Sequence, residues 1–320
     1  MVTVETGARL HLGFQNLALA HERLYGGVGL ALDEPRIRLS AERSETVACD
    51  DEAVDPYVAD AVDALGVPGA TVEVETRFER HVGLGSGTQL ALACLVAVGR
   101  AYGRRVDTME LAPDIGRGGR SGVGVATFES GGFVVDAGHP TERFTTAPPD
   151  PGDWTVPRPI VDASVPADWR FVLVVPDGER GPSGVPEDRQ MRAVVERADP
   201  GIADEIATLL TRRLLPALAE GDHRAFGAAA ARLGRLNGAW YADEQGGVYR
   251  PPAGRLVEAL TDAPAIAGAD QSSWGPAVYG ITTERDVAAA EAAAHDAVGA
   301  IDATAEVCVV APRNRGASVE

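Results

Sequence analysis

Residues 81–93 read HVGLGSGTQLALA, a glycine-rich turn that runs straight into an apolar, helix-forming stretch. Glycines at 83, 85 and 87 let the backbone approach a ligand closely, and a helix starting here offers unpaired N–H groups and the positive end of its dipole. The candidate anion-binding residues are Gly83, Gly85, Ser86, Gly87, Thr88 and Gln89, with the Ser86 or Thr88 hydroxyl available as a metal-ligand oxygen. Without a lysine the stretch is not a G-x-x-x-x-G-K-[ST] loop, and its spacing is not G-x-G-x-x-G. On its own it is read as a nucleotide site, as a site for another phosphorylated substrate, or as a tight strand-to-helix turn.

Around this cradle, alternation predicts strands at the N-terminal VTVETGARLHLGF, at 35–42 and at 70–79, with a helix over 55–67 that stops at Gly66. Thr88 to Tyr102 is an apolar, alanine-rich helix, Asp107 opens a short one, and ATFESGGFVVDAG reads as a hairpin turning at Ser130-Gly131-Gly132. From Pro140 to Pro166 proline is frequent and periodicity fails, which predicts a boundary near 150 and domains of 1–150 and 151–320. Beyond it, strands are expected at 169–176, 277–283 and 305–312, and helices at 187–198, 202–219, 222–241, 253–262 and 284–298. The class is α+β, with strands too separated for a simple meander.

The 320-residue chain carries 29 basic residues, none of them lysine, against 47 acidic ones, for a formal net charge of −18. Such a field repels nucleic acid and anionic membranes, so neither is an expected partner. An acidic, lysine-free surface suits a salt-rich cytoplasm, and GC-rich coding bias replaces lysine with arginine equally well. Three well-separated cysteines fit a reducing compartment, and no apolar run approaches the roughly 20 residues that span a bilayer. A cytoplasmic protein is expected, with a homodimer as its default assembly.

Three further stretches carry chemistry. In GRGGRSGVGVATFESGG (116–132), Arg117 and Arg120 stand among glycines beside Ser121, and the rigid guanidinium fork suits a phosphate or carboxylate. A structural salt bridge is the rival reading. In GARLHLGF (7–14), Arg9 and His11 share a strand face, although a lone histidine is more often structural. In DQSSWGPAVYGI (270–281), Gln271, Ser272, Ser273 and Trp274 could floor a ring-binding pocket or form a packed turn. No H-E-x-x-H, cysteine–histidine metal spacing or G-x-S-x-G elbow is present.

In this order and spacing, the motifs resemble the GHMP kinase superfamily. GLGSGTQLALA stands at its phosphate loop, GARLHLGF at its N-terminal motif and QSSWGPAVYGI at its C-terminal glycine-rich motif. That third motif lacks the run of glycines of a kinase, and the arginine–glycine stretch replaces an aspartate-bearing catalytic segment. These departures are similar to the β-ribofuranosylaminobenzene 5′-phosphate synthase branch, through GRSGVGVATFESGGFVVDAGH and a GQSSWGP-type motif in which this chain carries Asp270 before Gln271. The resemblance implies a GHMP kinase-like two-domain fold, with a ribosomal-protein-S5-like α/β domain followed by a ferredoxin-like α+β domain.

It also implies a decarboxylating phosphoribosyltransferase that joins phosphoribosyl pyrophosphate (PRPP) to 4-aminobenzoate or 4-hydroxybenzoate. Mg²⁺ or another divalent metal is implied, and no organic cofactor. Arg117, Arg120 and the loop would meet the leaving pyrophosphate, His11 would be the base, and Gln271, Ser273 and Trp274 would border the aromatic acid. The runner-up is an ATP-dependent small-molecule kinase, and a non-catalytic binder of phosphorylated metabolites is the third class.

Overall fold

A computed structural model describes residues 1–144, 150–178, 185–301 and 303–320. The first half runs β1 (Val2–Asn16), β2 (Arg23–Arg43), β3 (Val47–Cys49), α1 (Asp55–Leu65), β4 (Ala70–Thr76), α2 (Ser86–Ala101), α3 (Thr108–Leu111), α4 (Val123–Glu129), β5 (Phe133–Asp136), β6 (His139–Pro140) and β7 (Pro159–Ala163). The second half runs β8 (Trp169–Pro176), α5 (Val185–Arg197), α6 (Pro200–Leu209), α7 (Leu215–Glu220), α8 (His223–Gln245), α9 (Ala253–Thr261), β9 (Gly268–Gln271), β10 (Val278–Thr283), α10 (Val287–Ala300), β11 (Ala305–Val310) and β12 (Ser318–Val319).

Two sheets organise these elements. The first has the order β12-β1-β2-β4-β3, with β5 and β6 also on β2 and β7 on β5. It therefore takes strands from beyond residue 150 at both 159–163 and 318–319. The second is β11-β8-β10-β9, antiparallel throughout. Between the halves, Phe133 of β5, Phe226 of α8 and Trp169 of β8 stack in series, with centroids 5.9 Å and 4.8 Å apart, and all three are fully buried. Trp169 and the phenylalanines thus tie the two sheets to one core.

Local chemistry explains the element ends. Gly66 closes α1 in the left-handed conformation, as its position in the sequence predicts, and Asp107 caps α3 by accepting from the Met109 and Glu110 amides. The hairpin expected across ATFESGGFVVDAG is replaced by α4 followed by β5. Residues 123–128 are all buried, so the stretch packs as an all-round apolar helix that no alternation rule detects. The helix expected over 202–219 is broken by a π-turn at Leu210–Leu214.

Helix α8 comes unusually close to its neighbours through glycines on one face. A Cβ at Gly227 would lie 2.7 Å from the Ala267 carbonyl carbon, and one at Gly238 would lie 2.1 Å from the Val248 carbonyl oxygen. Between them Asn237 fastens α8 to β1, accepting from the Phe14 amide at 2.7 Å and donating to the Phe14 carbonyl at 3.1 Å. This brings the second half of the chain against the strand that carries Arg9 and His11.

Candidate active site

The glycine turn is held from both sides. Gly83 (φ 97°) and Gly85 (φ 81°) adopt backbone conformations that side chains resist, and Gly85 precedes α2 with no side chain capping it. The Gly83 carbonyl accepts from Arg9 Nη1 at 3.0 Å and from Ser272 Oγ at 2.8 Å. Ser272 Oγ also accepts from the His11 amide at 3.3 Å, the Ser273 amide donates to the His11 carbonyl at 3.2 Å, and the Ala277 amide donates to the Val82 carbonyl at 3.0 Å. Three stretches far apart in sequence thereby close on one another. A Cβ at Gly83 would lie 2.3 Å from the Ser272 carbonyl oxygen. Gly83→Ala should therefore cost at least about 2 kcal/mol of stability, from left-handed strain plus overpacking; a denaturant melt that matches wild type would contradict the clamp.

An arginine site faces the first turn of α2. The Arg117 and Arg80 guanidiniums lie 5.4 Å and 5.2 Å from the centroid of the Tyr57 ring. Both Arg117 Nη1 and the Tyr57 hydroxyl lie within 3.6 Å of where a Cβ on Gly87 would sit. Among the described residues, Arg117 Nε, Arg80 Nε and the Tyr57 hydroxyl are buried without hydrogen-bond partners. Buried donors left unsatisfied beside a helix N-terminus are a site for an anion. Arg120 is placed differently, because its guanidinium forms an ion pair with Asp188 of α5. Of the two arginines read from the sequence, Arg117 joins the cradle and Arg120 ties the loop to the second half.

A polar relay continues from the same loop. Ser121 Oγ donates to Asp136 Oδ2 at 3.1 Å, and Asp136 also accepts from the Gly122 amide at 2.7 Å, the Gly27 amide at 2.9 Å and the Gly138 amide at 2.8 Å. Burial raises the Asp136 carboxyl to about 6 against the pull of these four donors. His11 Nε2 lies 3.3 Å from Ser121 Oγ. With the serine proton given to Asp136, Nε2 is the donor and Nδ1 is unprotonated. Burial, with Arg9 next, lowers His11 to about 3. A ring so reluctant to take a proton is a weak base while it stays buried beside Arg9. It orients neighbours as a neutral group.

Beyond His11 opens a pocket lined by Phe14, Gly234, Asn237, Tyr241, Tyr249 and Asp270, together with Gln271, Ser273 and Trp274. Trp274 packs edge-on against Tyr241 with centroids 4.7 Å apart, and its buried Nε1 has no hydrogen-bond partner among the described residues. His11 meets Phe14 edge-on at 4.8 Å. The walls thus suit an aromatic ring. Gln271 lines the pocket while its amide is held by the Arg250 amide and the Ser273 carbonyl.

Most residues singled out from the sequence converge here, with two exceptions besides Arg120. Gln89 is turned inward, accepting from Thr6 Oγ1 at 2.7 Å and donating to the Gly124 carbonyl at 2.9 Å, so it braces α2 against α4. Thr88 packs beside Gly124, with its methyl 3.1 Å and its hydroxyl 3.6 Å from where a Cβ there would sit, and Ser86 is buried. Asp136, Tyr57, Arg80, Asn237 and Tyr249 lie outside the residues singled out above. Only the tertiary fold brings them in, although FVVDAG does place an acid among glycines that donate to it. Among the described residues, no group of three or more His, Cys, Asp and Glu is placed to hold a metal. Mg²⁺ commonly binds through substrate phosphates and water with one or two protein oxygens, and Ser86 beside the cradle fits that mode.

The fold and the clamped glycine loop define a GHMP kinase-like protein. Family descriptions for the GHMP kinases N terminal domain and the GHMP kinases C terminal match residues 53–132 and 214–300. The chain is 33% identical to the beta-ribofuranosylphenol 5′-phosphate synthase of Archaeoglobus fulgidus over all of both chains, and 32% identical to that of Methanothermobacter thermautotrophicus over 98% of this chain and 97% of the relative. It belongs to the beta-ribofuranosylphenol 5′-phosphate synthase family of the GHMP kinase superfamily. Its fold matches Methanococcus jannaschii mevalonate kinase (TM-score 0.66, 13% identity, 98% of each chain) and L. major mevalonate kinase (TM-score 0.68, 14% identity, 96% of this chain and 95% of that one). Among the described residues, no helix is long and apolar enough to cross a membrane.

Proposed function

We propose that this enzyme joins PRPP to 4-hydroxybenzoate, releasing pyrophosphate and CO₂. The observation that carries the reading is the junction at His11 of an anion cradle, with unsatisfied donors on Arg117, Arg80 and Tyr57, and an aromatic pocket. The sequence leaves amine and hydroxyl acceptors open; relatives named for a ribosylated phenol favour the hydroxyl.

The bond from the anomeric carbon to pyrophosphate breaks, and its electron pair leaves with the pyrophosphate. Arg117, Arg80 and the first turn of α2 meet that developing charge. The ring carbon bearing the carboxylate attacks the opposite face, forming a C–C bond and giving the β product from an α donor. As the para oxygen becomes a carbonyl it releases its proton; the bond to the carboxylate then breaks, CO₂ leaves, and the ring oxygen regains a proton as aromaticity returns. Mg²⁺ or a similar ion, carried by the diphosphate and touching Ser86, would neutralise part of the leaving charge. The neutral His11 ring, fixed through Ser121 and Asp136, spaces the two subsites.

The enzyme works in this reading as a homodimer in a salt-rich cytoplasm, consistent with its acidic, lysine-free surface. The kinase alternative rests on the fold alone, and parallel assays with PRPP plus acceptor and with ATP plus acceptor separate the two. Trp274→Ala should raise KM for the aromatic acid at least about 10-fold while changing KM for PRPP less than about 3-fold, since it removes one wall of the ring pocket. Equal effects on both substrates would move the acceptor elsewhere.

A further inference from the structure

We propose that Tyr25 and Arg192 form a second anion subsite, apart from the Arg117 cradle, that holds the 5-phosphate of the ribosyl donor. The inference rests on the proposed reaction: PRPP carries anionic groups at both ends of its ribose, and the cradle beside α2 accounts only for the diphosphate.

A row of rings leads away from His11. Phe14 meets His11 at 4.8 Å, Tyr25 meets Phe14 at 5.8 Å, and His139 stands edge-on to Tyr25 at 6.5 Å. Cations gather at the end of this row, in a chain whose net charge is −18. Arg192 of α5 lies over the Phe144 ring, 4.9 Å from its centroid. The charges of Arg120 and Arg192 act on the Tyr25 hydroxyl, and those of Arg143 and Arg23 act on His139. Arg120 is paired with Asp188, which makes a neutral couple, and Arg23 gives two donors to the Ala137 and Gly138 carbonyls. Arg192 is therefore the cation assigned to the ligand.

Two features of the row point to a ligand rather than to packing alone. Tyr25 is held at φ 68°, in the left-handed region that a bulky side chain resists. His139 is 7% exposed, and its Nε2 has no hydrogen-bond partner among the described residues. Burial raises the Tyr25 hydroxyl above its ordinary value despite the two arginines, so it keeps a proton to donate to a phosphate oxygen. Burial lowers His139, opposed by the Gly119 backbone and reinforced by Arg143 and Arg23, and the neutral ring meets a phosphate oxygen or a sugar hydroxyl according to its tautomer. The loop that carries Arg117 also reaches this cluster, through Gly119 and Arg120. From Arg117 to Arg120 the chain spans at most about 10 Å, which suits one small ligand with a phosphate group at each end.

The test measures calorimetric affinity for ribose 5-phosphate and for pyrophosphate, each with Mg²⁺, and kcat/KM for PRPP, in wild type, Arg192→Ala, Tyr25→Phe and Arg117→Ala. Arg192→Ala should weaken ribose 5-phosphate at least about 10-fold and Tyr25→Phe at least about 3-fold, while each changes pyrophosphate less than about 3-fold. Arg117→Ala should show the opposite split, and Arg192→Ala should lower kcat/KM for PRPP at least about 10-fold. Melting curves establish which variants are folded. A folded Arg192→Ala or Tyr25→Phe variant that binds ribose 5-phosphate as wild type does, or that loses both probes equally, overturns the proposal. A wild type that binds pyrophosphate but not ribose 5-phosphate overturns it as well. If wild type converts PRPP with neither acid, the proposed reaction fails, while the split between the two probes still decides the subsite.

Discussion

Replacing Arg117 with alanine is expected to lower kcat/KM for PRPP by about 30- to 1000-fold, the kinetic equivalent of roughly 2–4 kcal/mol of lost stabilisation of the leaving diphosphate. The guanidinium lies over the Tyr57 ring, beside the start of α2, and its buried Nε has no hydrogen-bond partner among the described residues. In the proposed reaction its removal takes away a preorganised donor facing the developing charge. Arg117→Lys should recover only part of the loss, because an ammonium lacks the planar fork. Arg120→Ala should cost less than Arg117→Ala, since the Arg120 guanidinium is committed to Asp188. Steady-state kinetics in PRPP distinguishes these outcomes; an Arg117→Ala enzyme with wild-type kcat/KM would place the diphosphate elsewhere.

Replacing Asp136 with alanine should destabilise the protein by about 3–5 kcal/mol, because it strands a buried hydrogen-bonded network. Three backbone amides and the Ser121 hydroxyl would lose an acceptor that is itself fully buried. Asp136→Asn tests the electrostatics more finely. The folded carboxyl titrates near 6 and the unfolded one near 3.8, so between these values the folded chain holds a proton that the unfolded chain has released. The contribution of this group to stability is thus greatest at acid pH and falls as pH rises through that window, by about 3 kcal/mol in all. Unfolding free energies of wild type and Asp136→Asn, compared at pH 4 and pH 7.5, should diverge in that direction. A difference that does not change with pH would contradict the raised carboxyl.

The glycine cradle was legible in the sequence because its chemistry is local: Gly83 and Gly85 take up the backbone conformations that their spacing anticipates. Strand β8 and the Gly66 stop were legible for the same reason. Helix α4 was not, since VGVATF is apolar on every side and short, and helix and strand patterns are then indistinguishable. Nor were the commitments of Gln89 and Arg120, whose partners Thr6 and Asp188 lie 83 and 68 residues away. Asp136 stands in plain sight in FVVDAG, yet only the folded chain brings Gly27 and His11 to its neighbourhood. Local geometry follows from residue type, whereas the pairing of polar side chains follows from topology.

The family places the chain among synthases, and the proposed reaction rests on buried donors beside the glycine cradle, an aromatic pocket and the buried His11 between them. The central claim is decarboxylating transfer. The most direct measurement incubates the purified chain in high salt with PRPP, Mg²⁺ and carboxyl-labelled 4-hydroxybenzoate. Labelled CO₂ should appear in step with pyrophosphate and depend on both substrates; release of pyrophosphate without labelled CO₂, or no release of either, would contradict the account.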